Sequence, residues 1–193
     1  MVDRLEGLLG HFSVSARTFQ AGPLCGINTL DGSLPYGQLH LLRQGEAEVW
    51  HGTTRAYRLA GPTLLFYPRP VAHRFVTDRE QGAEFVCAHI VFEGHAANPL
   101  ANALPSCVCL PLATLPDCVP VLTLLFAEAQ ATNCGRQVML DRLFEVVLIQ
   151  LLRHLMELGS TQAGLITGLA HPQLRHALAA VSYTHLTLPT TPY

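Results

Sequence analysis

Three histidines, a glutamine, a cysteine and an arginine are the side chains in this sequence best suited to hold a small molecule or a metal. His40 lies in QLHLLRQG (38–45), His73 ends GPTLLFYPRPVAH (61–73), and His89 lies in AEFVCAHIVF (83–92). Neutral imidazole serves as a hydrogen-bonding group and as a ligand for zinc or iron, and the thiolate of Cys25 would suit the same metals. Gln38 and His40 are two residues apart, so on a strand they share a face. Arg69 and Arg74 flank the histidine turn and could grip a carboxylate with two parallel bonds, although each could equally be a solvated loop residue. A catalytic metal needs three or four protein ligands with one position open. The set His40, His73 and His89 reaches that minimum only if all three converge. The expectation is therefore no bound cofactor, with the histidines acting as neutral hydrogen-bonding groups.

The elements that must position these groups are strands. From about residue 12 to 112, short runs rich in Val, Phe, Thr and Leu are punctuated by Gly, Pro and Asp, the pattern of antiparallel β-structure. QLHLLRQGEAEVW (38–50) predicts a strand, a turn at Gln44-Gly45 and a second strand on which Glu46 and Glu48 alternate with Ala47 and Val49. Ala83 to Phe92 is a further strand, apolar on both faces. Many short strands with close turns favour a closed barrel or a sandwich, which also removes exposed edges. Phe66, Tyr67, Phe75 and Trp50 are candidate walls of its cavity.

After Pro116 the apolar period changes from two to about 3.6. Asp117 is placed to cap a helix that tolerates Pro120 in its first turn, and Asn133-Cys134-Gly135 is placed to end it. The next helix is clearer, with Leu140, Leu143, Phe144, Val147, Leu148, Leu151, Leu152, Leu155 and Met156 at spacings of three and four, and Gly159 as its stop. Val146 and Ile149 lie off that row and widen the apolar face. A second copy of the chain would cover that face, making residues 117–158 a homodimer seam; packing on the same subunit is the alternative.

GPTLLFYPRPVAH and QLHLLRQG together resemble the paired motifs of the cupin barrel, and specifically the amino-terminal sensor half of bacterial AraC-type transcription regulators. That resemblance implies a mainly β fold with α: a cupin-like antiparallel β-barrel followed by a two-helix dimerisation and linker segment. It implies an effector-binding barrel at 1–112, a helical pair at 113–160, a linker at 161–170 and, at 171–180, the first helix of a truncated helix-turn-helix domain. Metal-dependent cupins carry G-x5-H-x-H-x3,4-E-x6-G and G-x5-P-x-G-x2-H-x3-N. Aligned on Gly45, Gln38 stands at the glutamate and Asp31 to Leu34 at the two histidines, so three ligands are missing. In the second motif Pro70 replaces the glycine and Thr77 the asparagine, leaving His73 as the inherited ligand. The implied function is small-molecule sensing by Cys25, Gln38, His40, His73, His89 and Arg69, without enzymatic activity. A metal-dependent cupin oxygenase or isomerase is the alternative.

Residues 181–193 change composition abruptly, and 181–190 resemble one reading frame of the transposon adapter used in sequencing-library preparation. The expectation is an artefact there, with DNA contacted only by a missing carboxy-terminal domain.

The composition limits what else the chain can do. It has 12 cationic residues, all arginine, against 14 acidic ones, so nothing forms the basic stripe that duplex binding needs. No apolar run reaches ~18 residues without a charge, and the start lacks a leader pattern, which predicts a cytoplasmic protein away from membranes. The six cysteines lack C-x-x-C spacing and read as free core thiols. Cys107 and Cys109 would share one face of a strand. No G-x-S-x-G, phosphate-cradling glycine loop or H-E-x-x-H occurs.

Overall fold

The computed structural model of the chain describes residues 5, 9, 13–94 and 98–158. Among the described residues, nine strands form two antiparallel sheets: β1 (Val14–Leu24), β2 (Ile27–Leu30), β3 (Gly37–Gln44), β4 (Glu46–His51), β5 (Thr54–Ala60), β6 (Thr63–Tyr67), β7 (His73–Thr77), β8 (Ala83–Phe92) and β9 (Val108–Pro111). The five-stranded sheet runs β1-β8-β3-β6-β9 and the four-stranded sheet β2-β7-β4-β5. Among the described residues, three α-helices follow the barrel strands or interrupt them: α1 (Pro99–Ala103), α2 (Val119–Gln130) and α3 (Arg136–Glu157). None of the described helices is long and apolar enough to cross a membrane.

The period-two pattern sorts side chains into two cores. Leu42, Leu65, Phe75, Phe85 and Cys87 fill the space between the sheets. Leu39, Leu41, Leu64, Val86 and Ile90 point the other way, onto α2 and α3. The five-stranded sheet is thus buried on both faces, which is why β3 and β6 read as continuous apolar runs. The turn at Gln44-Gly45 forms as expected: Gly45 has φ +96°, and a Cβ there would lie 3.0 Å from Ala83. Gly37 brings the start of β3 so close to β6 that a Cβ would lie 2.7 Å from the Tyr67 carbonyl. That approach sets Gln38 beside Tyr67.

The apolar row from Leu140 to Met156 is buried as predicted, while Val146 is exposed and Ile149 packs at the margin of the core. Two helix boundaries differ from expectation. Asp117 lies in a short 3-10 turn, and α2 begins after Cys118 without a side-chain cap. Gly135 precedes α3 in a left-handed conformation, whereas α2 ends at Gln130 because Ala131 turns extended. Arg136 reaches back to satisfy the open carbonyls, donating to Glu128 O at 3.1 Å and Ala129 O at 2.6 Å. Gly159 as a stop, the linker 161–170, the helix 171–180 and the tail 181–193 lie outside the described residues.

Candidate functional site

The barrel interior is assembled from facing strands whose register is fixed by the ladder. Gln38 pairs across with His89 on β8 and Tyr67 on β6, and His40 pairs with Cys87 and Leu65. His73 enters from β7 in the opposite sheet. His73 Nδ1 lies 2.9 Å from the Val71 carbonyl oxygen, and His73 Nε2 lies 3.1 Å from His40 Nε2. A carbonyl only accepts, so Nδ1 of His73 carries the proton and Nε2 is left as an acceptor. His40 must then donate through its own Nε2. Its Nδ1 is consequently an acceptor, and it is buried without a partner.

Burial keeps this cluster neutral. His40 is fully enclosed, and desolvation, followed by the proximity of His73 and His89, holds its imidazole well below the ordinary value. Burial pushes His73 down to about 4, against the Val71 hydrogen bond, which acts upward. Burial also lowers His89.

Around the histidines the barrel interior is lined by aromatic rings. Phe19 stacks on His89 with centroids 4.2 Å apart and stands edge-on to His40 at 6.2 Å. Phe19 occupies the β-bulge where the β1–β8 register slips between Thr18 and Gln20. Tyr36 tilts against His89, and the ring of Tyr67 lies 4.5 Å from that of His73. The Tyr67 hydroxyl meets His51 Nε2 at 2.8 Å. Cys107 shares hydrogen bonds with Tyr57 and Tyr67, and burial raises its thiol. Cys109 also faces this interior, so the two thiols share a face as the spacing predicted.

Of the expected site residues, the structure brings Gln38, His40, His73 and His89 together and leaves two apart. Arg69 is a correction: its Nη1 donates to Ala101 O at 2.5 Å and Leu104 O at 3.0 Å, closing the end of α1. Its fork is used on backbone carbonyls instead of a ligand. Cys25 is exposed and sits against Gly82, near the end of β7 where Gly26 and Asp78 pair. His73 begins that strand four residues before Thr77, so the two ends are roughly 13 Å apart at ~3.3 Å per residue. Phe66 faces the helices, not the cavity. Trp50 is engaged at the rim, donating to Glu48 at 3.0 Å beneath the Arg74 guanidinium at 5.3 Å. Phe19 and His51 were missed. His51 continues the inward parity of Ala47 and Val49 and could have been found, but the bulge that turns Phe19 inward leaves no sequence signal.

The donor set does not suit a cupin metal. Among the described residues no three His, Cys, Asp or Glu side chains are arranged to hold an ion.

A second feature ties the barrel to the helices. β1 is the free edge of its sheet. The Thr18 N–H donates to Asp141 Oδ1 at 2.7 Å, the Ala16 N–H donates to Glu145 Oε1 at 3.3 Å, and Gln137 donates to Thr18 O at 2.8 Å. Gln137, Asp141 and Glu145 recur every four residues along α3. That is about 6 Å of helix rise, close to the ~6.7 Å between alternate strand residues.

Comparison with known proteins agrees with this architecture. Residues 3–157 match the profile of a cupin family, described as Cupin. Over 111 residues the chain is 35% identical to the HTH-type transcriptional regulator AlkR of Acinetobacter baylyi, covering 54% of this chain and 35% of that protein. The chain thus spans about a third of the length of this curated relative. Among solved structures, apo ToxT from Vibrio cholerae is similar at 10% identity and a TM-score of 0.42, over 74% of this chain and 56% of that one. A likeness that distant carries no weight here. With most of its length matched, the chain belongs to the cupin family.

Proposed function

We propose that this chain is the effector-sensing and dimerisation part of a transcription regulator. A small molecule would enter the mouth of the barrel, residues 1–112, and meet Gln38, His40, His73 and His89. The observation that carries this reading is the buried neutral pair His40–His73, a polar group enclosed among the apolar side chains of the barrel interior. The helical segment, residues 113–160, would pair two copies through 117–158. Val138, Met139 and Val146 of α3 support that role, being apolar and exposed. The hydrogen bonds between β1 and α3 supply the route from chamber to helix. DNA would be contacted by sequence beyond this chain, in the cytoplasm, since this chain carries no basic stripe.

An occupant shifts the regulator only if it favours one arrangement of the pair over another. Solution scattering and crosslinking with and without a bound effector test this. A change in dimer arrangement on binding is expected; demonstrable binding with an unchanged arrangement would sink the proposal. A catalytic role has no observation favouring it: among the described residues no three His, Cys, Asp or Glu side chains are arranged to hold a metal, and burial raises the Cys87, Cys107 and Cys109 thiols.

A further inference from the structure

The unpartnered atoms of the chamber specify the chemistry of its occupant. Three buried side-chain atoms on the inner faces of β3 and β8 have no hydrogen-bond partner: Gln38 Oε1, His40 Nδ1 and His89 Nδ1. Gln38 is 4% exposed and His40 0%. Gln38 Oε1 is an acceptor by nature. His40 Nδ1 is one by necessity, because the Val71 carbonyl fixes the proton of His73, and His73 in turn fixes that of His40. Gln38 and His89 lie directly opposite in register, with His40 two residues along the same face. Among the described residues, the other unpartnered buried atoms, Thr18 Oγ1 and Arg74 Nε, belong to alternate positions on β1 and β7 that face away from this group.

A buried acceptor left without a donor destabilises the fold that holds it. Several on one face of one chamber form a pattern that a donor-bearing molecule would complete. The rings that frame them, Phe19 stacked on His89 and Tyr36 beside it, ask for a flat apolar body. The inner faces of β3, β6, β7, β8 and β9 carry no carboxylate or guanidinium, so an anion reaching Gln38 and His40 would meet acceptors, whereas at the exposed end Arg17 of β1 shares the face of His89.

We infer that the chamber selects an uncharged molecule that presents hydroxyl or amide N–H donors from an apolar, ring-sized body. This inference rests on the proposal that the barrel holds an effector, and it names the class of that effector. On β1, the exposed Arg17 pairs in register with His89, so an anionic competitor at the rim belongs in the test.

The test uses three probes of one size, benzyl alcohol, toluene and benzoate, titrated into the full chain. The readouts are dissociation constants and the ring-nitrogen chemical shifts of His40 and His89. Benzyl alcohol should bind about tenfold more tightly than toluene or benzoate, the value of one hydrogen bond, and should move the His40 Nδ1 resonance. Gln38→Leu should retain toluene binding and lose most of the preference for the alcohol. Toluene or benzoate binding in the barrel as tightly as the alcohol would overturn the inference while leaving the barrel as the ligand site. Benzyl alcohol binding without any response from His40 or His89 would overturn it in the same way. If none of the three perturbs barrel residues up to its solubility limit, the sensing proposal falls together with it.

Discussion

Asp141 of α3 accepts the backbone N–H of Thr18 at 2.7 Å, so a helix carboxylate occupies the position a neighbouring strand would take on the edge of β1. Thr18 is the residue before Phe19, whose ring roofs His40 and His89. One residue step therefore separates the chamber from the helix proposed to pair two subunits.

Removing that acceptor leaves a half-buried N–H open. Asp141→Ala is expected to destabilise the fold by about 1.5–3 kcal/mol, the range for a hydrogen bond to a charged group. Hydrogen exchange at the Thr18 amide should accelerate by at least about tenfold, while Asp141→Asn, which keeps an acceptor oxygen, should restore most of the protection. Unchanged exchange at Thr18 in the alanine variant would refute the link.

The histidine pair predicts a pH dependence of stability. His40 and His73 are depressed in the fold, the latter to about 4, whereas an unfolded imidazole titrates near ~6.5. The unfolded chain therefore binds protons first as pH falls. Stability should be complete above about pH 6.5 and decline toward about pH 4, by roughly 1.4 kcal/mol per pH unit for each histidine. Urea denaturation across this window checks the slope, and His73→Gln should flatten it.

Arg69 separates a structural role from a binding one. Arg69→Met strips the donors from the Ala101 and Leu104 carbonyls and should lower stability by about 1–3 kcal/mol. Affinity of the remaining folded protein for benzyl alcohol should not change. A selective loss of affinity at unchanged melting temperature would return Arg69 to the binding site.

At Gly45, alanine would have to adopt φ +96° with its methyl 3.0 Å from Ala83. Gly45→Ala should destabilise by about 1–3 kcal/mol through the turn between β3 and β4. A melting temperature equal to that of the parent would show that the turn relaxes.

The exposed apolar face of α3 predicts its own partner. Val146 is 42% exposed and Val138 64%. Val146→Glu should shift the chain to monomer in sedimentation experiments without lowering its melting temperature, because neither residue belongs to the buried row. A dimer that survives this change would place the seam elsewhere.

Strand alternation and helix periodicity made much of this architecture legible. The two strands β3 and β4 with the turn between them, the limits of β8 and the buried row of α3 all follow from apolar spacing, because burial on a regular element imposes that spacing. Parity also assigned Gln38 and His40 to one face, and the Pro-x-Pro-x-x-His turn singled out His73. Arg69 was misread because its partners, two helix-end carbonyls more than 30 residues later, depend on how α1 docks. Cys25 was misplaced because a residue type says nothing about which end of a barrel it occupies. Phe19 was missed since a bulge reverses parity locally, and the β1–α3 bonds were missed since they join side chains to backbone across the whole domain.

Those bonds also determine what kind of movement α3 can make. Successive acceptors on the helix are about 6 Å apart and the amides they serve about 6.7 Å, so the match holds for two rungs and worsens with each one added. A displacement of less than one rung breaks both bonds without forming new ones. The contact thus has one matched register, and a signal crossing it would be transmitted by breaking these bonds instead of by a graded drift.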